Sequence, residues 1–561
     1  MAQADPEPTQ APRRPSALSP FHYPVFRAVW AASTVSNLGG LIQSVGASWM
    51  MISIAQSADM VALVQASTTL PVVLLSLVAG AMADNLDRRR VMLGAQIFML
   101  IVSVILSACA WTGLITPWLL LLFTFLIGCG AAFNAPAWQA SVGDMVPRTE
   151  LPGAVALNSM GFNIARSAGP AIGGVIVAAA GAAAAFAVNA TSYIALIAVL
   201  ARWHRPPSAQ LLPPETLRIA IPAGVRYVAM SPAIRAVLIR CAVFGVGASA
   251  VMALMPLVAK TLIDGGPLTY GLLLGAFGVG AVTGVMGTTR LRRMLSTEAF
   301  VRWACIALAV AAAIVGTSTH PLATMAALLL AGAGWVLTLS TFNVAVQMSA
   351  PRWVVARAVS IYQMSAFGGM AAGSWLWGVV ATSEGVGASL LSAAIALLAC
   401  AALGLWLPLA QSEALNLDPL RLWKEPATAV PVLARSGPIV VTVEYIIREE
   451  NVVEFLSAMA ERRRIRRRDG ALHWRLLRDL ADPRIWIERY ETPTWLDYIR
   501  HNNRLTQNDA VIPERLRALH AGPDLPRVRR MIERQTGTLP ASHAAVPQPL
   551  AEPLTDPARS S

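Results

Sequence analysis

MVALVQASTTLPVVLLSLVAG at 60–80, AMADNLDRRR at 81–90 and VMLGAQIFMLIVSVILSACAWT at 91–112 form one continuous stretch of the chain. Each outer segment supplies the roughly 20 apolar residues that a helix needs to cross the hydrocarbon core of a bilayer. The middle segment is polar and closes on Arg88, Arg89 and Arg90. The reading is lipid, then water, then lipid again. Arginines at such a hinge mark a cytoplasmic loop.

Working outward, apolar runs of the same kind fall at roughly 27–54, 60–83, 90–112, 117–140, 153–179 and 183–203. A second set falls at roughly 234–260, 269–291, 298–318, 321–347, 355–382 and 387–409. Alternate connections carry Arg88–Arg90; Arg148; Arg205, Arg218 and Arg226; Arg290, Arg292 and Arg293; Arg352 and Arg357. The remaining connections hold a single cation, Lys260. That asymmetry is the positive-inside pattern and predicts both termini in the cytoplasm, in a multi-pass protein of the inner cell membrane.

Composition agrees. The chain has 561 residues, 55% hydrophobic and 13% charged, against about 25% charged in soluble domains. The charge is uneven: residues 411–561 hold 23 Arg/Lys and 20 Asp/Glu, residues 1–410 only 21 and 11. A net charge of +13 therefore reflects orientation signals, and no nucleic acid partner is expected. All five cysteines lie inside apolar runs with no CxxC or Cys/His spacing, which points away from disulfides and metal sites.

The two sets repeat one another. Arg27-Ala28-Val29 recurs as Arg235-Ala236-Val237, and Phe133-Asn134 with Gln139 recurs as Phe342-Asn343 with Gln347. Gly80 with Arg88-Arg89, then Pro147-Arg148, Gly169 and Gly174, recur as Gly284 with Arg292-Arg293, Pro351-Arg352, Gly373 and Gly378. Common order and spacing indicate duplication, with a cavity between halves near the midplane. The predicted fold is an all-α polytopic membrane protein of 12 transmembrane helices in two six-helix repeats. A small α+β cytoplasmic domain follows. The expected organisation is a disordered tail at 1–20, a first half at 21–203, a central cytoplasmic loop at 204–233 and a second half at 234–410. A linker at 411–437, the α+β domain at 438–530 and a disordered tail at 531–561 complete it.

The hinge Gly80-Ala-Met-Ala-Asp84-Asn-Leu-Asp-Arg88-Arg89-Arg90 resembles the major facilitator signature. The resemblance implies a conformational latch formed by Gly80, Asp84, Arg88, Arg89 and Arg90; Asn85 and Asp87 depart from the usual pattern. Gly169-Pro170-Ala-Ile-Gly173-Gly174 in span five is similar to the Gly-Pro element of exporters in that superfamily. Phe-Asn-Ala-Pro-Ala from 133, Asp144-Met-Val-Pro-Arg148 and Phe162-Asn163-Ile-Ala-Arg166 resemble the subfamily that includes the enterobactin exporter and related secretion transporters. Members carrying an extra cytoplasmic C-terminal domain are common in it. The resemblance implies a secondary transporter exporting a small organic molecule by alternating access, and not an enzyme. No cofactor is implied, although a proton gradient is the expected driving force. No Asp or Glu lies near the middle of any span, so a coupling carboxylate would have to be peripheral.

Polar groups at membrane depth are costly and face a cavity or another helix. The candidate substrate cavity comprises Asn37, Gln43, Asn134, Asn163, Arg166, Asn343, Gln347 and Gln363. The amides are more readily read as interhelical glue than as ligand contacts. Arg166, deep in its helix, requires a carboxylate, a carbonyl or an anionic substrate as partner.

In the tail, strands at 439–447, 471–480 and 484–491 and helices at 449–467, 494–506 and 510–520 give a β-α-β-β-α order. This suggests a ferredoxin-like domain, similar to the dimeric α+β barrel of antibiotic-biosynthesis monooxygenases, and a homodimer through it is an open expectation. Arg462–Arg468 reads as a solvated basic face, with anionic headgroups as the next reading. His473, Trp474 and His501 read as ordinary strand and helix-surface residues. The partners expected are a small molecule and the lipid bilayer. An importer of the same fold, a transporter whose tail is a cofactor-free oxygenase, and a non-transporting sensor stand as rival readings.

Overall fold

The computed structural model describes residues 18–55, 57–147, 150–203, 217–351, 353–409, 426 and 428–533. Arg148, Arg205 and Arg352 lie outside the described residues. So do the side chains of Asp84, Asn85, Arg218, Arg290, Arg292 and Arg293.

The described chain is mostly helical. The helices of the first half are α1 (Pro24–Ile54), α2 (Ala58–Asn85), α3 (Arg88–Trp111), α4 (Pro117–Met145) and α5 (Leu151–Arg202). The next are α6 (Leu217–Met230), α7 (Pro232–Leu257), α8 (Pro267–Met294) and α9 (Thr297–Thr317). Last come α10 (Pro321–Met348), α11 (Val355–Glu384) and α12 (Val386–Leu403). Local chemistry sets several starts. The Asp87 carboxylate accepts from Arg89 N at 3.0 Å to cap α3, and Thr116 and Ser296 cap α4 and α9 in the same way. Pro117, at the first helical position of α4, has no N–H to leave unsatisfied.

The expected break at 179–183 falls at Gly181. The stretch labelled α5 is two helices that meet at Gly181, whose non-helical φ of 78° and ψ of 173° suit a residue without a Cβ. Among the described residues, nine helices are long and apolar enough to cross a membrane, the broken α5 counting once. α1 and α11, with 31 and 30 residues, have the length but are diluted by Ser, Thr, Asn, Gln and Gly.

Packing divides the chain into two compact units. The first holds Met1–Leu217, Arg235–Val346 and Val359–Ala410; the second holds Arg218–Ile234, Gln347–Ala358 and Gln411–Ser561. In the first unit, small residues let helix backbones touch, as membrane bundles require. A Cβ on Gly280 would lie 2.0 Å from the Leu329 carbonyl oxygen, and one on Gly369 would lie 2.3 Å from that of Ala242. These contacts join α8 to α10 and α11 to α7.

The second unit contains a four-stranded antiparallel sheet of β1 (Ile439–Ile446), β2 (Leu472–Arg478), β3 (Ile485–Thr492) and β4 (Arg527–Ile532) in the order β2-β3-β1-β4. Helices α13 (Val452–Asp469), α14 (Trp495–Asn503) and α15 (Val511–Leu519) accompany it. The fourth strand escapes a sequence reading because Arg527-Val-Arg-Arg-Met-Ile is charge-rich and exposed along its whole length. Phe455, Ala458 and Ile465 of α13 pack with Val443, Tyr445 and Trp486 of the sheet.

Two expectations are corrected here. The Arg462–Arg468 run is not a uniformly solvated face. Positions 462, 466 and 469 share one side of α13 and are buried. The Nε atoms of Arg462 and Arg466 each approach the buried Glu488 carboxylate at 3.4 Å. Arg468 holds Asp469 and Asp509, each at 2.8 Å. His501 is likewise no surface residue. It is buried, with Nε2 2.8 Å from Arg466 Nη1, and burial with that adjacent cation keeps its pKa well below the ordinary histidine value.

Candidate functional site

α5 is pressed between α1 and α8, and its glycines make this possible. On one side a Cβ on Gly169 would lie 2.8 Å from Leu41 Cβ, and one on Gly173 would lie 3.1 Å from Ile42 Cα. On the other side, a Cβ on Gly174 would meet the Pro267 carbonyl oxygen at 2.8 Å and Gly271 Cα at 3.0 Å. Gly271 in turn faces the carbonyl oxygen of Pro170, at 2.6 Å from where its own Cβ would stand. The Gly-Pro element thus lies at the seam between the two sequence repeats, glycine against glycine.

Arg166 stands one turn earlier on the same helix. Its guanidinium lies 5.6 Å from the centroid of Phe277, a fully buried ring on α8. The backbone of α8 is tight against it: a Cβ on Gly278 would lie 2.7 Å from the Arg166 carbonyl oxygen. Among the described residues no carboxylate pairs with this cation. Among the described residues, Ser167 Oγ, next to Arg166 on α5, is buried without a hydrogen-bond partner, as is Asn134 Oδ1 on α4. A guanidinium cannot shed its charge at physiological pH, and an uncompensated cation at this depth is expensive. The arrangement is therefore suited to an incoming anion or a dense set of acceptors.

The other cavity candidates separate. Gln43 Oε1 accepts from Ser103 Oγ at 3.2 Å and from Asn189 Nδ2, while Asn189 Nδ2 also lies 3.0 Å from the Tyr193 hydroxyl. That network is buried and ties α1, α3 and α5 together, so Gln43 acts as interhelical glue. Asn37 and Gln347 are exposed, whereas Asn163, Asn343 and Gln363 are half-buried.

The arginines of the hinge take three separate jobs. Arg88 Nη1 reaches Asp144 of α4 at 3.1 Å. Arg89 donates to the carbonyl oxygens of Leu200 and Ala201 at 2.8 and 2.7 Å, closing the C-terminal end of α5. Arg90 remains exposed, 3.7 Å from Asp87. Gly80 faces α11 across the seam, where its Cβ would be 3.8 Å from Ser360 Oγ. At the other end of the same helix pair the contact is much closer. A Cβ on Gly378 would lie 2.7 Å from Ala62 Cβ, and Asp59 N donates to Thr382 Oγ1 at 3.2 Å. α2 and α11 are in closer contact at Gly378 than at Gly80.

Sequence reasoning missed Asn189, and it missed the ion pair of Arg240 with Glu298. A second Arg, six residues into an apolar run that already carries Arg235, was the available signal for the ion pair. Asn189 gave none beyond its being an amide in a span.

Comparison with known proteins gives the chain's family and fold. The family model described as "Transmembrane secretion effector" matches residues 15–537. The staphyloferrin A transporter of Staphylococcus aureus is 31% identical over 172 residues, 30% of this chain and 43% of that protein. The multidrug efflux pump Tap of Mycolicibacterium fortuitum is 27% identical over 411 residues, 69% of this chain and 96% of its own length. Among solved structures, a bacterial homologue of the lysosomal transporter Spinster, inward-facing and occupied, superposes with a TM-score of 0.57 at 12% identity. It covers 69% of this chain and 97% of that one. The nucleoside transporter NupG gives 0.56 at 13% identity, over 68% and 98%. At such identities the likeness is one of fold.

Proposed function

We propose a function from one premise: this chain belongs to the transmembrane secretion effector family. It is a multi-pass membrane transporter of small molecules, in a family of transporters rather than of enzymes. Its relatives include a protein named as a multidrug efflux pump and one named for staphyloferrin A. The reading it supports best is export by alternating access, within the subfamily resembling the enterobactin exporter. The cargo is a small amphipathic molecule bearing negative charge. The observation that carries the cargo class is Arg166, held over the Phe277 ring at the seam between α5 and α8 with no carboxylate partner among the described residues. A guanidinium beside an aromatic face suits a planar anion, which it can meet with two parallel hydrogen bonds.

Several finer features belong to the same proposal. Splitting α5 at Gly181 and adding α1 and α11 to the apolar helices supports twelve spans in two halves. The expected domain boundaries are kept with two changes, helix α6 within the central segment 204–233 and the α+β domain extended to Ile532 by β4; cytoplasmic placement of both termini is kept. The strand order β2-β3-β1-β4 supports a ferredoxin-like tail domain. The sheet face bearing Ile446, Leu477, Ile485 and Ile487 is a candidate surface for a homodimer. Asp84 with Arg88–Arg90 is retained as the latch, and Asn37, Asn134, Asn163, Asn343, Gln347 and Gln363 as residues around the transport path. A proton gradient is the proposed driving force.

The test is comparative metabolomics of medium and cells in deletion and overexpression strains. An anionic compound retained on deletion, and enriched outside on overexpression of the parent but not of Arg166→Gln, is the expected result. Depletion of the medium on overexpression makes the protein an importer. A cationic cargo removes the role given to Arg166.

A further inference from the structure

Within the second compact unit, segments from two distant parts of the sequence meet the tail domain. α6 ends at Met230, just before Pro232 opens α7, and carries Tyr227 in its last turn. Trp353 lies between the end of α10 and the start of α11 at Val355. The two rings pack edge to face, 5.5 Å apart at 85°. A Cβ on Gly224 would be 2.8 Å from the Arg357 side chain, so α6 and the beginning of α11 are in direct contact as well.

Two arginines of the tail domain cap this pair. Arg468, at the end of α13, places its guanidinium 5.1 Å from the Tyr227 ring, and Arg504, just after α14, sits 4.2 Å from the Trp353 ring. Neither side chain hangs free. Arg468 is gripped by Asp469 and Asp509 at 2.8–3.2 Å, and Arg504 Nη1 donates to the Asp469 carbonyl oxygen at 3.0 Å. The turn between them is close-fitting. Gly470 has a φ of 121°, and a Cβ there would be 3.3 Å from Arg226 Nη2 and 3.4 Å from Arg504 Nη1. Pre-positioned guanidinium groups over shielded aromatic faces form the favourable kind of cation–π contact, because little side-chain freedom is left to lose.

We infer that the tail domain is a built-in regulator, docked through Arg468 and Arg504 onto the Tyr227–Trp353 pair so as to restrain the Arg-bearing ends of α7 and α11. Both helices belong to the second sequence repeat, and α11 is the helix that faces Gly80 of the hinge across the seam. A domain fastened to the start of α11 therefore governs how far that helix separates from α2 in each transport cycle. The significance of the restraint rests on the alternating-access reading above; the docking itself does not.

Hydrogen exchange of the full-length chain in detergent micelles tests the inference without any substrate. In Arg468→Gln/Arg504→Gln, peptides covering 221–230 and 355–365 are expected to exchange on the order of tenfold faster than in the parent. In Tyr227→Ala/Trp353→Ala, the same acceleration is expected on the opposite partner, at 462–470 and 504–509, with β1 and β3 still protected. The second pair keeps the test decisive where the arginine variant fails to fold, which loss of protection in β3 reveals. Unchanged exchange at 462–470 in the aromatic variant overturns the docking. Faster exchange at 221–230 with none at 355–365, in a folded arginine variant, overturns the restraint on α11. Failure of export in the metabolomic experiment leaves both readouts intact, so the two proposals fall separately.

Discussion

Arg240 and Glu298 join α7 to the first turn of α9 through two hydrogen bonds, Nη1 to Oε2 at 2.6 Å and Nη2 to Oε1 at 3.1 Å, with the guanidinium fully shielded from solvent. The pair also gathers the chain beyond α12. Arg240 donates to the Leu407 carbonyl oxygen at 3.2 Å, and Leu409 N donates to Glu298 at 3.1 Å. Gly404 packs so closely that a Cβ there would meet both side chains.

Removing one partner strands a buried charge. Glu298→Ala is expected to destabilise the protein by about 3–5 kcal/mol, as broken buried pairs do, whereas Arg240→Leu/Glu298→Leu recovers most of that loss. Thermal unfolding in detergent reads both variants. A single variant that melts like the parent shows the pair to be idle.

The glycine seam allows a prediction about conformation. Gly271→Leu has no room against the Pro170 carbonyl oxygen, and Gly174→Leu none against Gly271. Each variant is expected to insert normally but to lose nearly all flux, because the end of the α5–α8 seam remote from the hinge can no longer close. Labelling of a cysteine introduced beside Gly271 should rise in the variant, since that end is held open. Unaltered labelling with normal flux contradicts the seam's role.

At the hinge, Arg88 and Asp144 are both mostly shielded and 3.1 Å apart. A double-mutant cycle of Arg88→Gln and Asp144→Asn is expected to show a coupling of about 1 kcal/mol in thermal stability. Flux should fall similarly in each single variant. Additive losses mean that the two residues act independently.

A pH dependence is expected in the tail domain. Burial pushes the Asp469 carboxyl up to about 6 from its ordinary 3.8, against the opposing pull of Arg468. The folded domain therefore holds a proton at pH values where the unfolded chain has lost it, so this group's contribution declines as pH rises from about 4 to about 6. The decline is on the order of 3 kcal/mol. Glu488 and Asp509, held below their ordinary values by arginines, act in the opposite sense and lower down the scale. Asp469→Asn should gain stability relative to the parent across that window and run parallel to it above. A constant difference between the two melting curves from pH 4 to 7 rules out titration of Asp469.

Much of the helical architecture is legible because lipid imposes a blunt rule: each crossing segment must be long and apolar, and this can be counted along the chain. The hinge arginines, the glycine-proline element and the lone Arg166 stand out for the same reason, as polar or small residues in an apolar background. The fourth strand does not stand out, because Arg527–Ile532 takes its place in the sheet by backbone pairing with β1 rather than by any hydrophobic alternation. The arginine run of α13 misleads for a related reason. Its charges look like a surface until Glu488, 22 residues beyond Arg466, is folded against them.

The sequence by itself determined where long apolar segments alternate with polar ones, and which residues are out of place in their surroundings. Those are properties of single segments against a solvent, and hydrophobicity with helical period suffices to read them. Only the tertiary structure decided the partners: Glu298 for Arg240, Phe277 for Arg166, and Tyr227 with Trp353 for Arg468 and Arg504. Each joins residues dozens to hundreds of positions apart. Such pairings depend on which faces the packed helices present to one another, and no local property of the chain encodes that choice.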